Sequence, residues 1–186
     1  MPDLGSVTAR LQRSIFEGNE GLGNIFMDLE LSVVGINSWP TDFFDVLLGL
    51  LGNQKFLQLQ DSWRVVYFIN NNWEQITVEQ RDRLREPLEN AFQEYADWMG
   101  AFVTSEVLGE RYADAEAIAA LSRLAKTARS PARALVPHGL EFLAKASDDE
   151  QLREVAIRNL RDLARSNQKD LKGEAEVSLT KLGIGK

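Results

Sequence analysis

The sequence predicts an all-α protein built from paired helices, and three observations carry that expectation. Residues 117–143 align with residues 156–182 at an offset of 39. The offset pairs Ala117 with Ala156, Ile118 with Ile157, Leu121 with Leu160, Leu124 with Leu163 and Ala125 with Ala164, then Leu140 with Leu179 and Leu143 with Leu182. Spacings of three and four place each set on one helical face, so each unit reads as two helices. The second observation is helix punctuation. Ser130-Pro131 reads as an N-cap with proline at the first helical position, Ser147-Asp148-Asp149-Glu150 as a capping box, and Gly183 as a helix end. The third is the stripe of Leu84, Leu88, Ala91, Phe92, Tyr95, Trp98 and Met99, opened by Thr77 with Gln80 as a second capping box. Pro87 falls inside that stripe, where it predicts a kink or a fresh helix near Glu86.

The N-terminal third admits two readings. Met27, Leu29, Leu31 and Val33 alternate with polar residues, and Phe56–Gln60 and Trp63–Ile69 extend the same strand-like pattern, which would give a small β element. Against it, Ile25, Phe26, Leu29 and Val33 share one helical face, and Thr41–Leu51 followed by Gly52-Asn53 reads as a helix. Helices throughout are favoured. The chain of 186 residues is expected to form a single domain, 1–186, with an aromatic-rich acidic part at 1–112 and two helix pairs at 113–186.

Asp149-Glu150-Gln151-Leu152-Arg153-Glu154-Val155-Ala156, followed by Leu160 and Leu163, resembles a helix of the HEAT-like and armadillo-like repeat families. Asp61-Ser62-Trp63-Arg64-Val65-Val66 resembles a second such helix. The resemblance lies mainly in residues 114–182. It implies a right-handed α-α superhelix, because one helix pair of about 40 residues cannot bury both of its apolar faces and stacks on a neighbour. It also implies that Asp61, Arg64, Asp149 and Arg153 are structural ties.

Composition limits the chemistry. The absence of cysteine excludes disulfides, thiolate metal sites and a cysteine nucleophile, and fits a reducing compartment. The first twelve residues carry no basic-then-apolar signal, and no apolar run approaches the length of a membrane span, so a cytoplasmic protein is expected. His138 is the single histidine, which excludes a two-histidine metal site, and it reads as a satisfied helix-end or surface residue. Gly18–Gly23 lacks the order of a nucleotide-binding loop and reads as a connection. Some HEAT-like proteins are DNA glycosylases with a carboxylate beside aromatics, and Asp61 near Trp63 is similar, but their other positions find no match. No catalytic, metal or cofactor residues are expected.

Charge divides along the chain. Residues 1–110 hold 17 acids and 7 bases, and residues 111–186 hold 11 acids and 14 bases, giving −10 and +3. The 39-residue offset also pairs Lys126 with Arg165 and Arg133 with Lys172, which would align bases on successive helix pairs against an acidic partner or phosphates. Trp39 before Pro40 and Trp73 after three asparagines fall at expected helix ends, where an indole can anchor a partner. These six residues, Lys126, Arg133, Arg165, Lys172, Trp39 and Trp73, are the candidate partner-binding positions. The expected function is a non-enzymatic protein-binding module: an adaptor, inhibitor or immunity-type protein whose partner is another, basic protein. The alternative is nucleic-acid binding through the basic C-terminal pairs.

Overall fold

A computed structural model describes residues 3–17, with the backbone alone over 15–17, and residues 21–184. Among them every regular element is helical: α1 (Leu4–Glu17), α2 (Leu22–Ser32), α3 (Thr41–Leu51), α4 (Gln54–Leu57), α5 (Arg64–Asn71), α6 (Val78–Ala91), α7 (Trp98–Glu106), α8 (Ala115–Thr127), α9 (Val136–Ala146), α10 (Glu150–Ala164) and α11 (Lys169–Lys181). A π-helical turn, Val107–Tyr112, continues α7, and short 3₁₀ turns occupy Trp73–Gln75 and Ala132–Leu135. None of the strand-like stretches is a strand: Met27–Leu31 lies in α2, Phe56 and Leu57 end α4 with Gln58–Gln60 in the turn after it, and Arg64–Ile69 lies in α5. The residues buried in α2, Leu22, Ile25, Phe26 and Leu29, are spaced by three and four, so the helical period prevails over the alternating one. The small β element is absent among the described residues.

The chain forms two compact units, Met1–Gly100 and Ala101–Lys186. In the first, α2 and α5 pack together, as do α3 and α6. Its core is aromatic. The indole of Trp39 stacks on Phe68 with centroids 5.2 Å apart and meets Phe43 edge-on at 5.3 Å, while Phe26 lies 6.2 Å from Phe68. Offset and edge-on pairs of this kind add roughly 0.5–1.5 kcal/mol each beyond the area they bury. Thr77 and Gln80 form the expected capping box, with the Thr77 N–H donating to Gln80 Oε1 (3.0 Å) and the Gln80 N–H to Thr77 Oγ1 (3.2 Å). Gln80 Nε2 also donates to the Trp39 carbonyl, joining the cap to the aromatic core. α6 passes through Pro87 and ends at Ala91, so the stripe expected to run to Met99 is divided and Trp98 opens α7.

The second unit holds α7 from Ala101 on, the π-helical turn and α8 to α11, with α9 packed against the turn, α8, α10 and α11. Ala117, Ile118, Leu143, Ala144 and Ala156 form its centre. Positions paired by the 39-residue offset fall on corresponding helices, Ala117 and Leu121 on α8 and Ala156 and Leu160 on α10, all buried. Two boundaries differ from expectation. The cap of α10 is Asp149 and not Ser147: Asp149 Oδ1 accepts from the N–H groups of Gln151 (2.8 Å) and Leu152 (3.4 Å). A carboxylate at the positive helix end outcompetes a hydroxyl, and Ser147 instead accepts from the Asp149 N–H. Ser130-Pro131 precedes the 3₁₀ turn, and α9 starts only at Val136. Gly183, at φ 72°, follows α11 in the left-handed conformation that closes a helix.

Candidate functional site

The six sequence-derived positions fall in three settings. Trp39 and Trp73 are buried in the first unit at 3% and 5% exposure, so neither indole is offered to a partner. Both lie next to helix ends, as expected, but those ends face the core. Trp39 Nε1 donates to Gln75 Oε1 (2.7 Å), and the Arg81 guanidinium sits 5.1 Å from the Trp73 ring centroid. A buried indole N–H needs such an acceptor, and Gln75 supplies it.

Arg133 is engaged inside the second unit. Its Nε and Nη2 both donate to Asp170 Oδ2 (3.1 and 2.9 Å), tying the 3₁₀ turn to α11. Burial pushes the Asp170 carboxyl up, but the hydrogen bonds from Arg133 and the Leu171 backbone, with the Arg133 charge, hold it below the ordinary aspartate value. Lys172 is exposed on α11 and makes no ion pair among the described residues.

Lys126 and Arg165, paired by the offset, line two different grooves. Lys126 stands on the wall of a groove of about 700 Å³ formed by α8, α9, α10 and the α10–α11 turn. Its floor is apolar, from Leu121, Ala125, Leu140, Leu163 and Leu171, and its rim is polar, with Asn159, Asp162 and Gln168. Arg165 borders a groove of about 340 Å³ between α10 and α11, together with Arg161, Ala164, Glu176, Leu179, Thr180 and Ile184.

Two features were not anticipated. Glu141 is buried in α9, 2% exposed, although a carboxylate there carries a large desolvation cost. Its Oε1 accepts from Lys145 Nζ (2.5 Å), and its Oε2 lies 3.5 Å from Lys181 Nζ and 3.7 Å from His138 Nδ1. Burial pushes this carboxyl up; the Lys145 hydrogen bond, the adjacent Ser178 hydroxyl and the charges of Lys181 and Lys145 outweigh it and hold the group below the ordinary glutamate value. His138 turns its other nitrogen to Glu174, with Nε2 3.1 Å from Oε2, and meets Phe102 edge-on. The single histidine is therefore a buried member of an α9–α11 polar cluster. Spacing does reveal part of this cluster: His138, Glu141 and Lys145 are three and four residues apart on one helix. The partners on α11 are set by the fold. Among the described residues, no group of three or more histidine or carboxylate side chains is arranged to hold a metal ion.

The second feature is an outward apolar row on α2 and the turn after it. Met27, Leu31 and Val34 recur at i, i+4 and i+7 and are 59%, 49% and 64% exposed. Such spacing puts them in one row on the helix face opposite the buried residues. The neighbouring α5 exposes Tyr67, 46% accessible and edge-on to Trp63 at 5.8 Å. Glu30 accepts from Asn71 (3.5 Å) and Asn72 (3.0 Å), fixing α2 to α5 beneath the row. Among the described residues, no helix is long and apolar enough to cross a membrane.

Comparison with protein-family models, with curated proteins and with solved structures finds no match for this chain.

Proposed function

We propose that this is a non-enzymatic protein-binding module of the adaptor, inhibitor or immunity type, and that a basic partner protein docks on the apolar row of α2. The row itself carries the reading. Single exposed apolar side chains are ordinary, but three large ones in register on one helix and the turn that ends it are the pattern of an interface anchor. The unit that bears the row holds 15 acids and 7 bases over residues 1–100, a net −8, so its field attracts a basic partner and repels an acidic one. The successive pairs α8–α9 and α10–α11, with the resemblance of residues 114–182, support a short HEAT-like superhelical stack as the scaffold. The lack of cysteine favours action in the cytoplasm.

The test is affinity capture from the native host with wild type and with the Leu31→Glu variant, whose exposed position leaves the fold intact. A partner held by wild type and lost from the variant supports the reading. Equal capture by both, or no specific capture by wild type, overturns it.

The nucleic-acid reading rests on one observation: Lys126, Arg165 and Lys172 are exposed and make no ion pair among the described residues. The Lys126→Glu, Arg165→Glu double variant discriminates. This reading requires that it weaken oligonucleotide binding and flatten the salt dependence, and it fails if wild type binds no nucleic acid at low salt.

A further inference from the structure

The second unit carries a ligand-shaped feature of the opposite electrical sign to the first. On α10 and its C-cap, Arg158, Arg161 and Arg165 recur at i, i+3 and i+7, all exposed, and none makes an ion pair or a side-chain hydrogen bond among the described residues. Other bases of the unit are engaged: Arg133 with Asp170, Arg153 with Glu150, and Lys145 and Lys181 with Glu141. Arg161, in the last turn of α10, and Arg165, its C-cap, are i,i+4 neighbours of like charge, and their repulsion of roughly 0.2–0.5 kcal/mol is offset by the attraction of both to the negative helix end. Both side chains are exposed, and the buried residues of α10 are Ala156 and Leu160.

The two guanidiniums border the groove between α10 and α11, whose walls also hold Ala164, Leu179 and Ile184. Its volume, about 340 Å³, accommodates one or two side chains. Thr180 donates its hydroxyl to the Glu176 carbonyl and so offers only an acceptor to the groove. Glu176 stands on the α11 wall without pairing to either arginine. Guanidiniums present fixed forks of donors that match carboxylates, and the apolar wall matches an aliphatic side chain.

We propose that the α10–α11 groove binds a short acidic, partly apolar segment of a second protein, with Arg161 and Arg165 taking carboxylates and Ala164, Leu179 and Ile184 receiving an apolar side chain. This goes beyond the reading of α2 as the docking surface for a basic partner and uses a different surface, so either can fail alone. Charge favours a short acidic segment over a nucleic acid. Residues 101–186 hold 14 bases and 13 acids, and the whole chain is −7, so there is no extended positive field to hold a polyanion.

The probes are fluorescent peptides alternating glutamate with leucine, their glutamine and lysine counterparts, and a single-stranded oligonucleotide of similar length, titrated against the full chain. The glutamate peptide binds, the glutamine peptide binds at least about tenfold more weakly, and added salt weakens the glutamate complex. The Arg161→Glu, Arg165→Glu variant, with its thermal unfolding transition retained, loses the glutamate peptide by a similar factor and gains the lysine peptide. Lys55→Glu, a charge reversal in the first unit, leaves the affinity unchanged. Equal binding of the glutamate and glutamine peptides, retention by the double variant, or tighter binding of the oligonucleotide overturns the proposal. So does concentration-dependent self-association abolished by the double variant, which would make a second copy the occupant.

Discussion

The backbone of Gly109 runs against that of Gly139 so closely that a methyl group on Gly109 would stand 2.0 Å from the Gly139 carbonyl oxygen. This contact sets the approach of the π-helical turn to α9. An added Cβ cannot be absorbed by a side-chain rotation, because the obstacle is backbone. Gly109→Ala therefore destabilises the second unit by about 3 kcal/mol. Gly139→Ala meets Leu121 Cδ2 at 2.6 Å and the Ser105 carbonyl at 3.0 Å, and costs about 1–3 kcal/mol because Leu121 can yield. Gly173→Ala provides the contrast: it lies inside α11 with nothing within 4 Å and stabilises by roughly 0.5–1 kcal/mol. Denaturant unfolding of the three variants checks the order, and a Gly109→Ala protein as stable as wild type would refute the close approach.

The Glu141 cluster makes the second unit acid-sensitive. Glu141 and Asp170 are both held below their ordinary values in the folded state. A carboxyl depressed by folding stabilises at pH above its unfolded value, and that stability is lost as pH falls through the folded value. The stability that these two carboxyls contribute is thus fully present above about pH 4.5, the ordinary glutamate value, and declines on acidification below it. In Glu141→Gln the decline is shallower and the neutral-pH stability is lower by about 1–3 kcal/mol, as expected when a charge-assisted hydrogen bond to a buried group is weakened. Thermal unfolding followed from pH 7 to pH 3 distinguishes the two curves.

The capping box of α6 gives a prediction for the first unit. Thr77→Ala removes the acceptor for the Gln80 N–H and costs about 1 kcal/mol. Gln80→Ala costs more, because Gln80 also serves the Trp39 carbonyl from a buried position. Urea denaturation monitored by tryptophan fluorescence ranks the two, and equal losses would mean that the Trp39 hydrogen bond contributes nothing.

Local signals in the sequence were legible where they act locally. Thr77 and Gln80 announce their helix, Gly183 closes its helix, and Thr41–Leu51 begins and ends where Gly52-Asn53 indicates. The α2 segment misleads because a helix with exposed Met27 and Leu31 and buried Phe26 and Leu29 also reads as an alternating strand. Exposure of an apolar side chain is a tertiary fact, since nothing in the composition of Met27, Leu31 and Val34 distinguishes an outward row from a core stripe. Trp39 and Trp73 show the converse: their place beside helix ends is visible in sequence, but which side of the end faces the core depends on Phe68, Gln75 and Arg81. The basic residues divide on the same ground. Arg133 and Arg165 look alike in sequence, and only the fold supplies Asp170 to one and an open groove to the other.

The claim that α2 is the docking surface is tested most directly by amide hydrogen exchange on the chain alone and in complex with the protein that it captures. Slowed exchange in the complex over residues 22–34, with the α5 segment around Tyr67 slowed as well, is the result expected. A complex in which residues 22–34 exchange as fast as in the free chain, with protection confined to other helices, would contradict it.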